Sequence, residues 1–317
     1  MSNALLSLAA EGTDIMVELS TQPASAPATQ PADQPLSQLI IIIITLGCAA
    51  TIIWLIRTII NPTSLSLART PGRPNRVNPL IHILLLLVAA FLVSSSAASF
   101  TAWLLGILDM MRISPEMFTD ASRLQQELRL QVNIVAGIAM QLPLLIGSLL
   151  LARVLFDHGI ERGLGLSCRH WFYDTLRGVA GLLIVYPACI GLLTLMALFM
   201  PLEKHIMLQA LSLSFPWKTA SVFSAVVLAP ITEEIFFRGM IQSMFRQYLG
   251  RPWLAVVCTA ALFGAAHYSL PATILPLALL GVAMGYVYER TGRLLAPIIM
   301  HILFNGISVF VTLNGGK

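Results

Sequence analysis

The sequence predicts an all-α fold, a polytopic membrane helix bundle of about eight transmembrane helices, and three observations predict it. The 317 residues are 57% hydrophobic and only 11% charged, against roughly 25% charged in a soluble domain, and the mean hydropathy is +0.82. Apolar stretches long enough to cross ~30 Å of hydrocarbon recur along the chain, at about 39–56, 80–108, 132–155, 178–200, 219–248, 253–268, 272–288 and 294–313. Basic residues also alternate from one connection to the next, and thirteen of the 19 Lys and Arg fall in four segments.

Residues 1–36 form a tail. Its start, Met1-Ser-Asn-Ala-Leu-Leu, lacks the positive and apolar regions of a signal peptide. Thr21 to Pro35 is a Pro/Ala/Thr/Gln linker in which Thr-Gln-Pro-Ala occurs twice, a composition that should stay disordered. Residues 37–177 hold the first three spans and a cytoplasmic connection, and residues 178–317 hold the remaining five. Arg57, Arg69, Arg73 and Arg76 follow the first span; Arg153, Arg162, Arg169 and Arg177 follow the third. Arg238, Arg246 and Arg251 end the fifth, and Arg290 with Arg293 precede the last. The positive-inside rule then makes these segments cytoplasmic and puts the amino terminus outside a multi-pass cell-membrane protein. The net charge of +4 is thus a matter of topology, and nothing calls for nucleic acid. Cys48, Cys168, Cys189 and Cys258 form no Cys-x-x-Cys unit and read as apolar filler.

The fifth span is interrupted by two acids, Glu233 and Glu234. A charge near mid-bilayer costs at least ~2.5–3.5 kcal/mol, so paired carboxylates there must face a polar interior and mark proton, ion or catalytic work. Three polar elements fall on three spans: Glu233-Glu-Ile-Phe-Phe-Arg238, Phe263-Gly-Ala-Ala-His267 and His301-Ile-Leu-Phe-Asn305. Residues four apart share a helix face, so Glu234 can meet Arg238 and His301 shares a stripe with Asn305. Adjacent acids point ~100° apart, so one should face the site while Arg238 holds the other. At ~1.5 Å rise per residue, Glu233 lies about 25 Å from the basic edge, His267 about 22 Å, His301 about 12 Å and Asn305 about 18 Å. A glutamate, two imidazoles and an amide can therefore share one wet cavity opening toward the cytoplasm. A carboxylate withdrawn from bulk water becomes a stronger base, fit to take a proton from water and return it to a leaving group. A histidine can hold that water, and His301 with Asn305 can donate to an oxyanion. These are the parts of a peptide-bond hydrolase.

Glu-Glu-x-x-x-Arg, Phe-x-x-x-His and His-x-x-x-Asn, in this order on successive helices, resemble the CAAX-processing and bacteriocin-processing family of intramembrane proteases, which contains the type 2 CAAX prenyl endopeptidases. Gly163-Leu-Gly-Leu166 resembles the short cytoplasmic stretch that often precedes the family's core. The resemblance implies Glu233 as general base, His267 as a holder of the attacking water, Glu234 and Arg238 as positioning groups, and His301 with Asn305 as oxyanion donors. It implies a peptide or membrane-protein substrate, prenylated or not. Cofactors stay open: a divalent metal such as zinc would draw on Glu233, His267 and His301, but the chain lacks His-Glu-x-x-His.

Other functions fit some of the same residues. A proton-coupled secondary transporter would use the acids and histidines as a relay, but residues 37–200 hold no second copy of the motifs of the kind that repeat architectures show. A non-catalytic scaffold or immunity protein would leave the motif set without work. A helix-fixing Glu–Arg pair alone would leave one acid unpaired in apolar surroundings.

Overall fold

The computed structural model describes residues 34–61, 65, 67, 80–110, 121–156, 159–201 and 209–314. Eight apolar helices run through it: α1 Gln34–Ile60, α2 Leu80–Met110, α3 Ala121–Leu155 and α4 Trp171–Ala197, then α5 Phe215–Leu249, α6 Pro252–Ala265, α7 Ile274–Thr291 and α8 Leu295–Asn314. No strand occurs among the described residues. Five consecutive isoleucines, Ile40 to Ile44, would favour a strand in water, yet they are helical here. In hydrocarbon each backbone polar group needs a partner inside the protein, and a helix supplies one within its own segment.

Six of the helices are long and apolar enough to cross a membrane, and the protein is multi-pass. The apolar part of α2, Val88–Thr101, and the whole of α6 are shorter. The tail expected over residues 1–36 lies outside the described residues up to position 33, and α1 already begins at Gln34. Arg69, Arg73, Arg76, Arg112, Lys204 and Lys317 lie outside them too.

Burial sorts the helices. Of the most apolar stretch of α1 only 6% is buried, against 44% for α5, so α1 shows lipid its isoleucines while α5 runs through the protein interior. α4 packs against α1 on one side and α7 and α8 on the other, and α2 pairs with α3. In the chain between α3 and α4, Gly163 to Gly165 are buried. Leu164 is wholly enclosed, its carbonyl accepts from the Tyr288 hydroxyl at 3.1 Å, and the Gly165 carbonyl accepts from the Leu294 N–H at 2.9 Å. Gly165 has φ +79°, and a methyl there would strike the Gly292 carbonyl, so glycine is required twice over.

The first turn of α4 and the segment just ahead of α8 are stapled by charge. Arg293 donates to both carboxylate oxygens of the buried Asp174, at 2.7 to 3.0 Å. α6 differs from the span expected over 253–268: its 14 residues reach only about 21 Å. The chain turns back over residues 266–273 into α7, making a tight α6–α7 hairpin.

Candidate active site

The acids sit on a helix of uneven pitch. Within α5 the segments Ser224–Leu228 and Ile235–Gln242 are π-helical, and the α-helical turn Ala229–Glu234 lies between them. Widened turns of this kind recur at functional sites, because they turn side chains off the regular register and loosen backbone carbonyls.

Glu234 is completely buried, whereas the Glu233 side chain is 27% exposed. Glu234 Oε1 accepts from Arg238 Nη1 at 2.8 Å and lies 3.0 Å from His301 Nδ1. Glu233 Oε2 lies 3.9 Å from His301 Nε2. One imidazole is thus flanked by both acids, with a different nitrogen toward each. An ionised carboxylate only accepts, so Nδ1 carries the proton given to Glu234, and Nε2 is the nitrogen that faces Glu233. One oxygen of each acid, Glu233 Oε2 and Glu234 Oε2, is buried without a hydrogen-bond partner.

Arg238 is enclosed as completely as the acid it holds. Its second terminal nitrogen donates to the Gly281 carbonyl at 3.3 Å, and its guanidinium lies 4.5 Å from the centre of the Phe263 ring. That ring is the mechanical centre of the motifs. It meets His301 edge-on at 5.6 Å and His267 at 5.1 Å, so Phe263 spaces three of the polar groups.

His267 lies in the turn just beyond α6, at the tip of the hairpin. Its Nδ1 is 2.9 Å from the Phe263 carbonyl. A carbonyl cannot donate, so Nδ1 carries hydrogen and Nε2 keeps the lone pair. Among the described residues no direct hydrogen bond joins His267 to Glu233 or His301; the link runs through Phe263.

Asn305 does not stand beside His301 as a second free donor, as the shared stripe suggested. Its Nδ2 donates to the Ala225 carbonyl at 2.8 Å. The reason lies in α5. The Ala229 N–H donates to the Ser224 carbonyl, and in that register the next N–H, that of residue 230, would go to Ala225. Residue 230 is proline and has none. Asn305 supplies the missing hydrogen bond across the helix pair.

The structure also buries a polar ladder that motif reading passes over. Gln242 Nε2 donates to the Gly285 carbonyl at 3.0 Å and to Glu289 at 3.2 Å, and Arg246 Nε lies 3.8 Å from Glu289. The signal was available: Arg238, Gln242 and Arg246 step by four on α5, as do Gly281, Gly285 and Glu289 on α7. A Cβ at residue 285 would sit 2.7 Å from Gln242 Oε1, so glycine is needed for the approach.

Among the described residues no three His, Cys, Asp or Glu side chains converge closely enough to hold a metal ion. Glu233, His267 and His301, the set a zinc ion would draw on, do not form a coordination shell as they stand.

Comparison with known proteins places this geometry. An Escherichia coli protein described as an uncharacterized 24.3 kDa protein is 33% identical over 109 residues, covering 33% of this chain. That stretch spans about half of the relative's own length, 50%. No solved structure matches the chain. Residues 215–307 match the family model described as type II CAAX prenyl endopeptidase Rce1-like. From the start of α5 into α8, the stretch holding Glu233, Glu234, Arg238, His267, His301 and Asn305 is similar to that Rce1-like family.

Proposed function

We propose that this protein is an intramembrane endopeptidase that hydrolyses a peptide bond near the cytoplasmic membrane face, with its amino terminus outside. The observation that carries the reading is the pair of neighbouring acids in an apolar span meeting one imidazole, with Glu233 partly exposed and one of its oxygens without a protein partner, inside the segment the prenyl endopeptidase model matches.

The roles follow from which atoms are committed. Glu234 is held by Arg238 and fixes the tautomer and direction of His301. Glu233, the accessible acid, takes a proton from a water as its oxygen attacks the scissile carbonyl carbon. The 3.9 Å between Glu233 Oε2 and His301 Nε2 is too long for a direct bond and leaves both atoms for a shared water. His267 Nε2 offers that water a further acceptor. The oxyanion that forms is met by His301 when Nε2 is protonated and by the N–H of Asn305 not given to Ala225. Glu233 then returns its proton to the amine nitrogen as the C–N bond breaks. Glu233 thus carries one proton from the water to the leaving amine, and the proton on His301 Nε2 is taken up from solvent before the attack.

The substrate is a peptide segment presented at the membrane, either a prenylated carboxy-terminal tail or part of another membrane protein. The test is a comparison of protein termini in cells carrying the parent chain or Glu233→Ala, followed by cleavage of the shifted candidates with purified protein. A protein whose terminus shifts only with the parent chain is the expected result. Identical termini, together with parental turnover by purified Glu233→Ala, would overturn the reading.

A further inference from the structure

α7 has two polar faces, and only one belongs to the acids. Gly281, Gly285 and Glu289 turn toward α5, while Val282, Tyr286 and Arg290 line a separate cavity of about 640 Å³ between α1, α4 and α7. That volume is in the range of well-formed ligand sites. Neither Glu233 nor His301 lines it.

Its chemistry changes along its length. Arg57 of α1, Arg177 of α4, Arg290 of α7 and Arg293 ahead of α8 converge on it, and none of the described lining side chains is acidic. Asp174, which Arg293 and Arg177 both touch, offsets one of these charges from outside the lining. Trp54, Trp253 and Tyr286 sit at the same end, and Trp253 stacks on Tyr286 with ring centres 5.6 Å apart. One to three turns further along α4 and α7 the walls are Ala180, Ile184, Ala188, Leu279 and Ala283, without a charge. Arginines and indoles mark the headgroup level of a bilayer, and the small apolar residues lie at the level of the chains.

We propose that this cavity binds an anionic phospholipid, its phosphate among the four arginines and an acyl chain along α4 and α7. A soluble anion would satisfy the rim and leave the apolar wall bare; a zwitterionic lipid would do the reverse. Only a molecule that crosses the headgroup boundary with net negative charge matches both ends, and basic pockets between transmembrane helices recognise such lipids. The site stands apart from the proposed catalytic residues, so its test does not depend on them.

The experiment is thermal unfolding of the full chain in detergent during titration with dioctanoyl phosphatidylglycerol. Dioctanoyl phosphatidylcholine supplies the same chains without net charge, and glycerol 3-phosphate supplies the anion without chains. The expected result is a saturable rise in Tm with phosphatidylglycerol alone. Arg57 and Arg290 are both exposed, so the double variant Arg57→Gln/Arg290→Gln should fold, and its half-saturation should move up by about thirtyfold, the strength of two ordinary headgroup contacts. Ala283→Phe, which fills the chain end and keeps every arginine, should abolish the response; should it fail to fold, the arginine pair decides. Equal stabilisation by phosphatidylcholine, full reproduction by glycerol 3-phosphate, or unchanged half-saturation in the arginine variant would each overturn the proposal.

Discussion

Asp174 near the start of α4 and Glu234 in the middle of α5 are both fully buried carboxylates paired with arginine, yet the two are satisfied differently. Asp174 is saturated: Arg293 reaches both of its oxygens, and Arg177 adds a longer contact at 3.4 Å. Glu234 is half saturated. Arg238 and His301 crowd onto one oxygen while the other has no partner, and the preceding residue, Glu233, is a second acid with a buried oxygen that lacks a hydrogen-bond partner. Burying a charge is costly unless its lone pairs are met, and a fold selected for stability alone would satisfy both. An oxygen without a protein partner, rather than burial or the presence of an arginine, separates the acids of the candidate site from a staple.

Three substitutions press on that difference, and the largest effect belongs to Glu233. Glu233→Gln keeps the shape and removes the base, so turnover of a peptide substrate by reconstituted protein should fall by about 10²–10⁴-fold, with membrane insertion and melting unchanged. Turnover near the parental rate would mean that the open oxygen is not where the proton goes.

Asp174→Asn should give the mirror image. Removing one partner of a buried pair costs about 3–5 kcal/mol, so the loss should appear in denaturation midpoint, while turnover per folded molecule stays parental. Glu234→Gln should move both quantities, because it leaves Arg238 without its carboxylate and His301 without its anchor. If Asp174→Asn instead cut turnover in molecules that melt normally, the staple and the site would be one unit and the contrast would fail.

The same contrast explains what sequence could convey. Spans such as α1 and α8 are legible because bilayer thickness sets a length, and six polar side chains at helical spacing stand out against apolar surroundings. The spacing i to i+4 correctly pairs Glu234 with Arg238, a local contact within one helix. Contacts between helices are another matter. That His301 would reach both acids, or that Gln242 would find Glu289, depends on the approach of α5 to α7 and α8, which glycines permit but do not specify. α6 ends three residues before the apolar stretch does, because hydropathy continues through Ala266 into the turn, where the backbone has already left the helix. The π turns leave no compositional mark except Pro230, whose missing N–H frees a carbonyl without specifying which residue claims it.

That proline supplies the subtlest test, because it separates the structural work of Asn305 from any chemical work. If Asn305 stands in for the N–H that residue 230 lacks, Asn305→Ala leaves the Ala225 carbonyl unpaired and should cost about 0.6–2 kcal/mol. Pro230→Ala restores a backbone donor in that register, so in its background the same Asn305→Ala change should cost nothing further. A double-mutant cycle on unfolding in detergent measures this coupling directly. An unchanged cost in the Pro230→Ala background would show that Asn305 supports something other than α5. Cleavage read on the same four proteins then divides the remainder: a rate deficit that survives the restored stability belongs to the second N–H of the amide and to the oxyanion, whereas a deficit that vanishes with it leaves Asn305 as the brace that holds the acids of α5 in register with His301.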